Sequence, residues 1–105
     1  MTQKQINDIV MSKLNEVNHD MVRQAPVLHG RLRNCKASVY KNDNYYILKS
    51  YGTYVAFIDR RENICYDILR YTYGYTATSA GHIAKFKNDY GTYGHCETYR
   101  YYNNK

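Results

Sequence analysis

The chain has no tryptophan, two phenylalanines, one proline and three cysteines. Each scarcity excludes something. Cys35, Cys65 and Cys96 are odd in number and spaced too widely for the disulfide framework of a small secreted domain. The expectation is a soluble protein of a reducing cytosol. The start, MTQKQINDIV, lacks the basic stretch and unbroken apolar run of a secretory signal, and nowhere does an apolar segment approach the roughly 20 residues that cross a bilayer. No membrane association is expected. CxxC and HxxxH spacings are missing, as are a zinc-finger spacing, a helix-turn-helix pattern and the aromatic signature of an RNA-recognition sheet. A Cys/His nucleophilic pair could be assembled from Cys35, Cys65 or Cys96 with His29, His82 or His95, yet no local signature selects one. The protein is therefore expected not to be an enzyme.

What is abundant is tyrosine, fourteen in 105 residues, and positive charge, with a net of +6. Tyrosine combines a large apolar body with a polar tip, which suits half-buried sheet faces and interfaces. At this length the chain is read as one domain, residues 1–105, of modest stability, to which homodimerisation would add buried surface. The charge is uneven. Residues 1–22 carry a net −1, residues 23–61 carry eight basic side chains against two acidic ones, and the remainder carries +1. A basic middle segment favours an anionic partner, either nucleic acid or an acidic protein surface. A solvated surface that only aids solubility is the alternative.

Taken in order, residues 4–22 place Ile6, Ile9, Val10, Leu14, Val17 and Met21 at helical steps, with Thr2 as N-cap and Pro26 forcing the chain out of helix. Residues 23–34 read as a connection that could end in a short irregular strand. Two hairpins follow: Lys36–Lys41 with Tyr45–Lys49 around a KNDN turn, then a strand over Tyr54–Asp59 and its return from Ile64 to Leu69. The second hairpin's first strand is apolar on both faces, so burial on both is expected. Tyr71–Tyr75 form an elbow before a helix over residues 79–90, capped by Thr76 or Thr78 and closed by Gly91. Alternation in the tail suits a strand added to a sheet edge. The expected fold is α+β: an N-terminal helix, a four-stranded antiparallel sheet from two hairpins, a second helix and a C-terminal edge strand.

Within this frame Ser50, Tyr51, Thr53, Val55 and Ala56, then Tyr75, Thr76, Ala77, Thr78 and Ser79, then His82, Ile83 and Phe86 form a pattern S-Y-x-T-x-[VI]-A, Y-[ST]-A-T-[ST], H-I-x-x-F. It resembles a pattern in small, largely uncharacterised bacteriophage proteins. The match covers roughly 40 residues, and departs from the pattern at Gly52, where Asn is usual, and at Ala80 and Gly81, where bulkier residues stand. The resemblance implies a phage or integrated element and the host cytoplasm, with an anti-CRISPR type of inhibitor among the roles it suggests, but it carries no catalytic residues over. The residues themselves are explained by strand bracing and helix capping, while free amides at the second helix start are an alternative anion site.

The candidate recognition residues are Arg23, Arg31, Arg33, Lys36, Arg60, Arg61, Tyr99, Arg100 and Tyr101, since Tyr and Arg are the types enriched at interface anchors. No cofactor is expected. Zinc is the one metal the composition could hold, with Cys35, Cys65, His82, His95 and Cys96 as its ligand candidates. The leading expectation is a phage-encoded inhibitor of a host defence protein, a CRISPR effector among the targets, acting on an acidic or nucleic-acid-binding surface. A nucleic-acid-binding accessory or regulatory protein is the alternative.

Overall fold

The computed structural model describes residues 1–32, 36–72, 74–91 and 96–102. Helix α1 (Gln3–Arg23) opens on a capping box: Thr2 Oγ1 accepts from the Gln5 amide and the Gln5 side chain accepts from the Thr2 amide, as the expected N-cap at Thr2 requires. It ends where Gln24, two residues before Pro26, turns extended. Strands β1 (Val27–Arg31), β2 (Ala37–Lys41), β3 (Tyr45–Ser50), β4 (Thr53–Asp59) and β5 (Ile64–Asp67) follow as an antiparallel meander. Helices α2 (Leu69–Thr72) and α3 (Ala77–Tyr90) then lead to β6 (Glu97–Arg100).

The α+β class holds, but the sheet is mixed and has six strands in the order β1 to β6, rather than four antiparallel ones. Two causes account for the difference. Residues 27–31 form a full edge strand, although four of the five are exposed and a register shift between Leu28 and Gly30 breaks any alternation. The tail strand does join an edge, but it pairs parallel to β5, because α3 carries the chain back across one face before β6 begins. The expected strand to Leu69 also stops early. The Asp67 carboxylate accepts from the Leu69 amide and turns the chain into α2.

One helix covers each face. Val10 and Val17 of α1 pack with Tyr45, Ile47, Phe57 and Tyr66, while Ile83 and Phe86 of α3 pack with Val39, Leu48, Ala56, Ile58 and Cys65. Alternate residues of β3 and β4 therefore feed opposite cores, as the doubly apolar reading of Tyr54–Asp59 anticipates. A register shift at Leu48/Lys49 lets Val55 join Ala56 on the α3 side. Thr76 caps α3 through the Ser79 amide, and Gly91 closes it in extended rather than left-handed geometry. The α1 end of the β6 edge is also tied down. The Asn7 side chain donates to the Tyr102 carbonyl and accepts from its amide, which satisfies backbone groups an edge would leave open.

Candidate recognition surface

Because the meander alternates and β6 runs with β5, the strands share two ends. At one end lie the β1–β2 connection, the β3–β4 turn, α2, the start of α3 and the residues after β6. At the other lie the turns at 42–44 and 60–63 and the start of β6. Five strand spacings make each end about 24 Å wide. Their side chains differ in what they have left to offer a partner.

At the 42–44 and 60–63 end, charge is largely spent inside the molecule. Asp59 is fully buried and accepts from the amides of Arg61 and Glu62, from Lys13 Nζ at 3.2 Å and from Arg61 at 3.3 Å. Burial works to raise its pKa, but these donors outweigh it and hold the carboxyl at about 2. Lys13 also reaches Glu16 and Glu62, and despite its burial its bonds to Glu62 and Asp59 lift its pKa above the usual lysine value. Arg60 lies over the Tyr46 ring and donates to the Asn42 carbonyl at 2.8 Å. Asp20 is held by Asn42 and Asn44, and Asp43 by Gln24. Arg23 lines a surface hollow together with Asp20 and Asp43.

The other end has one carboxylate in its strand termini and connections, Asp67, which is buried and bound to Arg100 Nε at 2.8 Å. Here, among the described residues, four tyrosines are exposed: Tyr51, Tyr71, Tyr75 and Tyr102. Arg31 and Lys36 line a shallow cavity of about 320 Å³ on the β1–β2 side of this end, with Ala37 and Ser38. Arg70 is half-buried, its guanidinium 4.6 Å from the Tyr75 ring centre and 4.5 Å from that of Tyr102. Arg100 draws the Tyr102 phenol below its usual pKa by hydrogen bonding.

Tyr51 has a further peculiarity. Ser50 pairs with Thr53 across a two-residue hairpin loop in which both Tyr51 (φ +50) and Gly52 (φ +85) adopt positive φ, the requirement of a type I′ turn. Glycine takes this freely, whereas a tyrosine is strained there. The Tyr51 ring stays exposed and lies 5.7 Å from the ring of His82. Beneath it Ser50 Oγ is 2.8 Å from His82 Nδ1 and 3.1 Å from Ser79 Oγ. Burial, with a smaller push from Lys85, lowers the His82 pKa, so the ring is neutral at pH 7. Ser50 and His82 are 1% and 5% exposed, so the pair braces the turn with its serine oxygen closed to solvent. Comparison with known proteins found no matching family model, no matching curated protein and no matching solved structure. The surface must therefore be interpreted from its own geometry.

That geometry divides the residues singled out from sequence. Arg31 and Lys36 stand at the acid-poor end. Arg23, Arg60 and Arg61 stand at the opposite end among carboxylates, rings and carbonyls. Arg100 is engaged by Asp67, while Tyr99 packs on Tyr66 and Tyr101 on Tyr71, so these three hold β6 in place. Arg33, Cys35 and His95 lie outside the described residues. Among the described residues no group of three or more His, Cys, Asp or Glu side chains could hold a metal ion. Cys65 and Cys96 are buried thiols whose pKa burial pushes up, and His82 is committed to Ser50. No helix among the described residues is long and apolar enough to cross a membrane.

Sequence reasoning missed Arg70, Tyr51, Tyr75 and Tyr102 as a group. Arg70 sits outside the basic segment, and only the turn of α2 brings it between rings 5 residues ahead and 32 residues ahead. A local signal was present in R-Y-T-Y-G-Y, where glycine allows the chain to double back.

Proposed function

We propose that the protein is a small binding protein whose recognition surface is the acid-poor, tyrosine-rich end of the sheet, and that its partner is another protein. The observation that carries this reading is that, among the described residues, Tyr51, Tyr71, Tyr75 and Tyr102 are all exposed at one end of the sheet, with Arg31 and Lys36 on its β1–β2 side, Arg70 on its β5–β6 side, and Asp67 buried and paired with Arg100. Tyr and Arg are the side chains that most often anchor interfaces, since they bring large area at low conformational cost. The strain at Tyr51 supports the same assignment: a bulky residue kept where glycine or asparagine would be easier holds an exposed ring in place. The resemblance to bacteriophage proteins supplies the biological setting, an inhibitor of a host defence protein with a CRISPR effector among its targets.

The test is affinity capture from bacterial lysate run beside a gel shift with random duplex and single-stranded DNA. Wild type is expected to retain a defined protein that is lost on combined Tyr51→Ala and Arg31→Gln replacement. Tight, salt-sensitive DNA binding that disappears with Arg31→Gln and Lys36→Gln would instead make the protein a nucleic-acid binder.

A further inference from the structure

The Arg70 guanidinium lies over two aromatic rings, those of Tyr75 and Tyr102, and, among the described residues, it donates no hydrogen bond to the protein. Many contacts converge to hold it so. Asp67 fixes the start of α2 through the Leu69 amide with one carboxylate oxygen and holds Arg100 with the other. Gly74, at φ +84, donates to the Leu69 carbonyl five residues back, which closes α2 and returns Tyr75 over Arg70. Tyr102, the second ring, is pinned through its own backbone by both ends of the Asn7 amide. Arg70 is half-buried and, among the described residues, forms no ion pair with a carboxylate, yet α1, α2, the α2–α3 connection and the residues after β6 all position it.

We propose that Arg70 is the anchor for a carboxylate on an acidic segment of the protein partner, with Tyr75 and Tyr102 as its walls. This rests on the protein-binding reading above and names its central contact. A guanidinium presents paired parallel N–H donors that match the two oxygens of a carboxylate, and stacking orders the side chain before the partner arrives. The rings add apolar walls against which the stem of a Glu or Asp side chain can lie. A nucleic-acid strand would ask for something different, a row of cations following successive phosphates. Here Arg100 is occupied by Asp67, and Lys49 lies over Tyr40 and Tyr54. Arg31 and Lys36 belong to the β1–β2 edge, three to four strands from β5, about 14–19 Å away. Among the described residues Arg70 is thus the cation of this aromatic frame that no carboxylate occupies, which suits one bidentate anion.

The experiment uses full-length protein with ¹⁵N-labelled arginine. The Arg70 Nε–Hε signal, assigned by its loss in Arg70→Lys, is followed while poly-L-glutamate, a single-stranded oligonucleotide of equal net charge, or inorganic phosphate is added. The expected result is a saturable shift of that signal with poly-L-glutamate, and peptide binding about tenfold weaker in Arg70→Lys, which keeps the charge but loses the fork. Lys41→Gln, which removes equal charge at the opposite end, should stay within about twofold of wild type. An unmoved Arg70 signal at saturating peptide overturns the proposal, as does unchanged peptide affinity in Arg70→Lys. Tighter oligonucleotide binding with the same signal shifting, or a response to phosphate but not to peptide, also overturns it and gives the site to phosphate. A lysate protein captured equally by wild type and Arg70→Lys removes the anchor but leaves the protein-binding reading standing. No captured protein alongside an intact peptide response does the reverse.

Discussion

The two ends of the sheet both carry basic side chains, but they use them differently. Around Asp59 the cations are paired within the molecule: Lys13 and Arg61 neutralise a buried carboxylate, and Arg60 ties one turn to another. Around Tyr51 and Arg70 the one carboxylate among the described residues is Asp67, which Arg100 occupies, and Arg31, Lys36 and Arg70 are paired with none. A net positive segment is therefore a poor guide to recognition by itself. What separates the ends is how many donors remain unspent after folding.

The largest expected effect belongs to the spent end. Asp59→Ala removes a fully buried acceptor and leaves Lys13 without its most buried partner, so unfolding free energy in urea should fall by about 3–5 kcal/mol. Peptide binding measured at Arg70 should be unchanged in whatever fraction remains folded. If Asp59→Ala left stability intact, the contrast between the ends would collapse.

A smaller effect is expected from pH. His82 has its folded pKa below the ordinary 6.5, so the unfolded chain binds this proton first as pH falls. The contribution of His82 is complete above about pH 6.5 and is lost as pH drops toward the folded value. Stability measured in urea at pH 7.5 and 5.5 should show a drop whose size shrinks in His82→Gln. An equal drop in that variant would mean that the Ser50–His82 pair does not sense the proton.

The smallest effect is the most diagnostic. Tyr51→Asn relieves a positive φ that asparagine tolerates, so stability should rise by up to about 1 kcal/mol, less whatever the Tyr51–His82 ring contact contributes. Partner capture should weaken in the same variant. A gain in stability with loss of binding would show that the strain is retained for recognition, whereas a loss of both would make Tyr51 a structural residue.

Much of the fold was legible because its signals are local. Apolar steps from Ile6 to Met21, the Thr2 and Thr76 caps and the charged turn after Asp59 each specify an element within a few residues. β1 was not legible as a full strand, since Val27 and Leu28 are exposed and the edge is held by pairing alone. The parallel sense of β6 was not either, because it depends on which way α3 crosses the sheet, and no residue in the tail encodes that. The site was legible in part. Arg31 and Lys36 were found through composition, and the Ser50, Tyr51, Ser79 and His82 cluster through a recurring pattern. Arg70 was hidden because its role comes from Tyr75 and Tyr102 meeting across it, a contact that composition and periodicity do not express.

Hydrogen–deuterium exchange on the protein bound to its captured partner tests the division of labour most directly. New protection is expected at residues 50–54, 69–72 and 100–102, with exchange at 41–46 and 58–64 unchanged. Protection confined to 41–46 and 58–64, with the Tyr51 and Arg70 segments exchanging as in the free protein, would contradict it.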